Sequence, residues 1–533
     1  LINIMYQYVK NRILKIVGII VLFGTISALV QFSSPNVADL DSFYHIKHAY
    51  LYRTQNLFDT SFPWTQYSVI KEYGADLWYG FHIFLVPFTY FPDLILGAKV
   101  AGALVTLLTL LFLGWALARL KIKYPFFWPL LFLISGPDVM YRLSMARPHN
   151  LSLALGLLVF SFFIAGRWPS VLASSAILAF IHPTMAWLPV LIAGTISLCG
   201  LIYGRPVEWP KILASLGGIA IGLLARPNPI GTLKLIYIQT IEIILVKINK
   251  IPLYFGREIL DFDLRGSEFV GLLQNAGPAL MILLIALVLF KVSSRTSASI
   301  DQKLKILSLT GTTLAAVFMM ISLTVARRDY DYSVVLALIA ASAIFTLYFT
   351  AAPTHSKKRL MFAAVILSGL LFTNSISGFR GFMAQAFAPD YLKESSLWLK
   401  NNTRPGEIVF NTRWDLFHGL FFWNTHNYYV NGMDPIFMYA YNPSLYWKNH
   451  YLAIDKAGSI TCGKIKCTAE EAEDTHTALV DDFKASYLIL RKTQTPSLYS
   501  HLAGEKKFQL VFENKTEAVF KILPVPKIKN VQH

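Results

Sequence analysis

Long apolar runs broken by short polar turns dominate the first 380 or so residues of the chain. A helix needs about 20 mostly apolar residues to cross a bilayer. The first run, 13–32, follows Lys10, Arg12 and Lys15. It is longer than the roughly 7–15-residue core of a cleavable leader, so it reads as an uncleaved anchor with a cytoplasmic N-terminus. Further runs lie near 94–118, 125–136, 150–166, 169–181, 184–203, 211–225, 271–290, 304–326, 332–350 and 360–378. Together they predict a polytopic α-helical membrane protein with about 11 transmembrane helices.

Crossing from side to side puts a basic cluster in each inner turn. These are Arg119, Lys121 and Lys123; Arg167; Arg205 and Lys211; Lys291, Arg295, Lys303 and Lys305; and Lys357, Lys358 and Arg359. This is the positive-inside asymmetry expected of cell-membrane proteins. The expected organisation is a transmembrane domain over 1–379, with a first outer loop at about 33–92. An extracytoplasmic soluble α/β domain follows over 380–533.

In that last part the pattern shortens. Apolar stretches at 407–410, 487–490 and 508–512 suit strands, and 392–400 and 468–485 suit helices. The stretch 233–248, apolar with sparse charge, suits an amphipathic helix lying on the outer surface.

Composition agrees with this pattern. Of 533 residues, 55% are hydrophobic and only 15% charged, against roughly 25% charged in soluble domains. That excludes disordered, fibrous and ordinary cytosolic classes. The net charge of +17 is partly topology, so no nucleic-acid partner is expected; the bilayer is. Three cysteines exclude a cysteine-based scaffold, although Cys462 and Cys467 are close enough in sequence to pair on an oxidising side.

Candidate chemistry collects in the expected outer loops. Asp39 and Asp41 stand two apart just past the first run, where carboxylates can converge on one cation or one proton. Asp41 or Ser42 also suits the N-cap of a following helix, which would carry His45 and His48 on one face. Asp76 and His82 lie further along the same loop, among aromatics that suit the membrane interface.

The second outer loop holds Arg142, Arg147 and His149 beside Asp138. Arginine on the outer side runs against topology and requires a partner, either an acid or a phosphate. Arg327 and Arg328 repeat the pattern beside Asp329 and Asp331. In the last domain Arg413, Asp415 and Asp434 stand among aromatics and amides suited to a saccharide.

The sequence Asp41-Ser42-Phe43-Tyr44-His45 resembles the Asp-x-Tyr-Tyr-His sequence of oligosaccharyltransferase catalytic subunits, matching at Asp41, Tyr44 and His45. Span number and an outer C-terminal domain are also similar to the GT-C superfamily of membrane glycosyltransferases. The resemblance implies Asp41 as catalytic base or ligand of a divalent cation (Mg or Mn), with Asp39 and His45 beside it. It implies a donor sugar on a polyprenyl phosphate and a glycan, lipid or protein acceptor. The second outer loop lacks that family's paired acids, and Thr412-Arg413-Trp414-Asp415 has one tryptophan where its acceptor motif has two. The chain is more similar to mannosyl- or arabinosyl-type polyprenyl-phosphate-sugar transferases.

The expectation is a glycosyltransferase of the cell envelope, with Asp41, Asp39 and His45 catalytic. Arg142, Arg147, His149, Arg327, Arg328, Asp76, His82, Arg413, Asp415 and Asp434 would bind substrate. A transporter or lipid flippase would instead place charge at mid-span, and a non-catalytic scaffold would keep the bundle without the chemistry.

Overall fold

The computed structural model describes residues 2–249, 251, 269–293, 302–326, 329–351, 353–455 and 458–524. The chain forms two compact units. The first comprises 1–54, 78–226 and 262–389; the second comprises 55–77, 227–261 and 390–533.

The first unit is a helical bundle. Among the described residues of the whole chain, eight helices are long and apolar enough to cross a membrane. They are Ile13–Phe32, Leu94–Arg119, Pro148–Ala165, Pro183–Ile202, Pro229–Val246, Gln302–Thr324, Tyr330–Thr350 and Thr354–Gln385. Trp168–Ile181, Trp209–Leu224 and Gly277–Phe290 are apolar but shorter.

Two expectations about the long apolar stretches change. The run 125–136 forms only the helix Phe127–Leu133. At about 1.5 Å per residue it cannot span a bilayer, and Gly136-Pro137 opens a new helix, Pro137–Leu143. The stretch 233–248 belongs to a continuous helical segment beginning at Pro229, long and apolar enough to be a candidate span. It falls in the second unit.

Tyr330–Ala351 runs through the bundle core, with Val335, Ala337, Ala340 and Ala341 fully enclosed. Trp209–Leu224 packs against Trp168–Ile181. Small residues permit this: a Cβ on Gly222 would stand 2.2 Å from the Ala176 carbonyl oxygen, and one on Gly218 2.4 Å from that of Leu172. Backbones in contact through a small-x-x-x-small stripe are a common solution where lipid removes the hydrophobic drive between helices.

The second unit is an α/β fold. Its strands are β1 (Ile408–Asn411), β2 (Tyr428–Tyr429), β3 (Ile460–Thr461), β4 (Glu473–Asp474), β5 (Tyr487–Arg491), β6 (Phe508–Glu513) and β7 (Glu517–Ile522). The main sheet has the order β2-β1-β5-β7-β6, parallel across its first three strands and antiparallel across the rest. The early segment adds to its edge: Thr65 bridges Tyr429, with Gln66 N–H donating to the Tyr429 carbonyl at 2.8 Å. Asn228 donates to the carbonyls of Tyr73 and Gly74. Three separated stretches of chain thus build one unit.

The helix expected over 468–485 breaks into β4, a short turn of helix at Thr475–Thr477 and a π turn at Ala478–Asp482. Cys462 and Cys467 form a disulfide.

Gly222→Ala should lower the stability of the full chain in detergent by about 1–3 kcal/mol through overpacking. Gly217→Ala, where an added Cβ meets nothing within 4 Å, should be neutral or stabilising. Thermal unfolding followed by tryptophan fluorescence compares the two, and equal midpoints would contradict the packing described.

Candidate functional site

The turn after the first long helix is clamped from several sides. Lys99, near the start of Leu94–Arg119, donates to three successive carbonyls, Ser34 at 2.5 Å, Pro35 at 3.1 Å and Asn36 at 3.3 Å. Val37 exchanges both backbone hydrogen bonds with Phe387. The Tyr141 hydroxyl donates to the Ala38 carbonyl. A turn held this way fixes where Asp39 points.

Asp39 is buried, and Ser42 donates to its Oδ1 at 2.5 Å. Two residues later Asp41 opens the helix Asp41–Thr54, where the positive end of the helix dipole favours a carboxylate. Arg147 bridges the two acids, with Nε 2.6 Å from Asp39 Oδ2 and Nη2 3.0 Å from Asp41 Oδ2. The side chain of Asp39 is 4% exposed and that of Asp41 31%, so Asp41 presents the accessible oxygens of the pair.

Arg147 is positioned by the turn before Pro148–Ala165. Asn150 donates to the carbonyls of Arg142, Leu143 and Met145, and Thr106 donates to Leu143 at 2.6 Å. Arg142, in the last turn of the helix Pro137–Leu143, is buried with its Nε 2.7 Å from Asp331 Oδ2. His149 is partly buried beside Arg147 in sequence.

His45, one turn after Asp41, meets His82 at 2.8 Å between Nδ1 and Nε2. The hydroxyl of Tyr44 lies 2.9 Å from His48 Nδ1. His48 stacks on Tyr52, and Trp78 meets Tyr44 and His45 edge-on. All three histidines are buried.

Asp39, Asp41, His45, His82, Arg142, Arg147 and His149 therefore share the first unit, and Arg147 joins the two acids directly. Asp76, Arg413, Asp415 and Asp434 belong to the second unit. There Arg413 pairs with Asp415 through two parallel hydrogen bonds, and Asp434 caps the helix Pro435–Tyr441 by accepting from Ile436 N–H at 3.1 Å. Arg327 and Arg328 lie outside the described residues. Lys99 and Asn150 were not picked out as site residues from sequence; a lone lysine in an apolar span is the signal that points to Lys99.

Mg and Mn prefer about six oxygen ligands. Two carboxylates already bridged by a guanidinium do not fit such an ion.

Burial raises the Asp39 carboxyl above its ordinary value of 3.8; Arg147 opposes this and Asp41 adds to it. The folded state then binds that proton more tightly than the unfolded chain. Stability should fall as pH rises from 3.8 through the raised value and level off above it. Asp39→Asn should flatten that limb in unfolding curves measured against pH; an unchanged limb would remove Asp39 as its source. Arg147→Met should cost about 3–5 kcal/mol by stranding both acids, partly recovered by adding Asp39→Asn. Chemical denaturation checks this, and an unaltered midpoint would deny the bridge any weight.

No protein-family model matches the chain, and no curated protein matches it by sequence. Solved structures do match. Arabinofuranosyltransferase AftD from Mycobacteria aligns with a TM-score of 0.58 at 12% identity, covering 95% of this chain and 40% of that one. The chain thus spans well under half of AftD. ArnT from Cupriavidus metallidurans in the apo state gives 0.55 at 11% identity, over 95% of this chain and 98% of that one. ArnT bound to undecaprenyl phosphate gives 0.51 at 12% identity, over 94% and 98%. At such identities the likeness is one of fold. The fold is GT-C-like, a polytopic helical membrane architecture with a sheet-containing C-terminal domain, and the chain is a multi-pass membrane protein.

Proposed function

We propose that this chain is a membrane glycosyltransferase, moving a sugar from a polyprenyl-phosphate-linked donor to an extracytoplasmic acceptor with Asp41 as base. The observation that carries the reading is the bridged carboxylate pair. One acid is buried and the other accessible, and a single arginine holds both. The pair sits in a fold shared with ArnT, a protein captured with undecaprenyl phosphate.

The chemistry follows from that asymmetry. Asp39 and Arg147 orient Asp41, whose exposed oxygens take the proton from an acceptor hydroxyl. The hydroxyl oxygen forms a bond to the anomeric carbon. The bond from that carbon to the phosphate oxygen breaks, and its electron pair leaves with the polyprenyl phosphate. Attack opposite the leaving group inverts the anomeric centre. Arg142, Arg147 and His149 are the basic groups on hand to favour the charge that develops on the phosphate. His45 and His82 brace the helix that carries Asp41.

A disulfide persists on an oxidising side of a membrane. The bond between Cys462 and Cys467 therefore supports an extracytoplasmic placement of the C-terminal stretch 380–533; a cytoplasmic N-terminus and the plasma membrane complete the proposed topology. Arg413, Asp415, Asp434 and Asp76 are then candidates for contact with the acceptor.

Asp41→Asn should reduce turnover about 10²–10⁴-fold, with expression and thermal midpoint kept. The assay is release of free polyprenyl phosphate from radiolabelled polyprenyl-phosphate sugars by the purified chain. Undiminished turnover by the variant would refute Asp41 as base, and no release from any donor with any acceptor would refute the transfer itself.

A further inference from the structure

At the far end of the bundle from Asp39 and Arg147 a second feature stands out. Lys99 marks the near end of the helix Leu94–Arg119, where it holds the turn that carries Asp39. That helix is roughly 39 Å long at 1.5 Å per residue, and Lys121 and Lys123 follow its other end. Lys121 and Tyr124 both adopt left-handed backbone (φ 60° and 54°), an uncommon conformation for residues with side chains. Lys123 N–H donates to the Thr346 hydroxyl at 3.0 Å, and its carbonyl accepts from Trp128 Nε1 at 3.3 Å. The turn is thus tied to the bundle through its backbone, while the Lys123 side chain stays exposed.

Beside this turn opens a cleft of about 320 Å³, within the roughly 300–1,000 Å³ range of small-molecule sites. Its walls come from Phe127 and Trp128, Ile285, Phe345 and Phe349, and Val365. The lining is almost wholly apolar and includes Lys123 and Tyr124. Leu360 and Met361 also line it. Directly before them in the helix Thr354–Gln385 stand Lys358 and Arg359, both exposed. An apolar slot lined by one cation, Lys123, with two more directly before its lining residues Leu360 and Met361, is complementary to one kind of molecule, an amphiphile with an anionic head. Basic pockets between membrane helices bind such head groups.

We propose that this cleft is a site for an anionic phospholipid, with an acyl chain in the slot and the phosphate held by Lys123, Lys358 and Arg359. The site is separate from the carboxylate–arginine bridge and stands whether or not the sugar-transfer reading does. A lipid without net negative charge fills the slot less well because its head group does not neutralise the three cations. The cation lost in each substitution weakens binding by about fivefold near a membrane surface, so the preference should fade stepwise.

The test uses the purified full chain in detergent. Phosphatidylglycerol and phosphatidylcholine with matched acyl chains are titrated in, and the retained lipid is counted by native mass spectrometry. The wild-type chain should retain one phosphatidylglycerol at least about tenfold better than phosphatidylcholine. Lys123→Gln with Lys358→Gln and Arg359→Gln should remove that preference. Ala364→Trp, which fills the slot and leaves the cations in place, should lower retention of both lipids. Wild-type chain that retains the two equally would overturn the proposal, and so would a preference that survives loss of the three charges. An Ala364→Trp chain that keeps full retention would overturn the role of the cleft. A thermal midpoint for each variant identifies one that has failed to fold. Lys123→Gln and Arg359→Gln singly then replace the triple variant, each expected to cut the preference about fivefold, and Ala364→Leu replaces Ala364→Trp, with an unchanged preference or retention again overturning the proposal.

Discussion

Charge removed from water has to be answered by charge, and this requirement organises the centre of the first unit. Asp39 is buried, so its ionised form is sustained only by Arg147 and by the hydroxyl of Ser42. Desolvating an ion costs several kcal/mol, which is recovered only when geometry and extra hydrogen bonds are good. Arg147 meets that condition by gripping two carboxylates at once. Arg142 and Asp331 satisfy the same requirement on the neighbouring turn. Three ion pairs from three chain segments then fix the first turn of one helix against the N-termini of two others.

The backbone around these pairs is held by side chains that capture carbonyls. Lys99 takes three and Asn150 takes three. Turns between apolar helices have few backbone partners, and an unsatisfied buried carbonyl is costly. Long polar side chains reaching in from the flanking helices solve that problem. They also convert a loop, ordinarily the softest part of a structure, into a rigid platform for Asp39 and Asp41.

Much of this was legible in the sequence, for physical reasons that differ by element. Long apolar helices announce themselves because lipid demands uninterrupted hydrophobicity, and runs such as 94–118 and 304–326 correspond to Leu94–Arg119 and Gln302–Thr324. Asp39 and Asp41 stood out because acids beside an apolar run are rare. The partner of Arg142 was not legible: Asp331 lies 189 residues away, and nearby Asp138 offered a closer sequence neighbour. The run 125–136 misled because hydrophobicity alone does not register Gly136-Pro137 as a stop. The helix breaking up over 468–485 was hidden because its polar and apolar positions satisfy a helical period, while β4 and the π turn depend on contacts distant in sequence.

The second unit draws on 55–77, 227–261 and 390–533, and this has a bearing on biogenesis. A chain emerging from the ribosome releases the first of these stretches hundreds of residues before the last. The edge contributed by Thr65 has no Tyr429 to meet until about 360 further residues have been made (429 − 65 = 364). Until then the early edge lacks its sheet partner, and a truncation before Tyr429 orphans it.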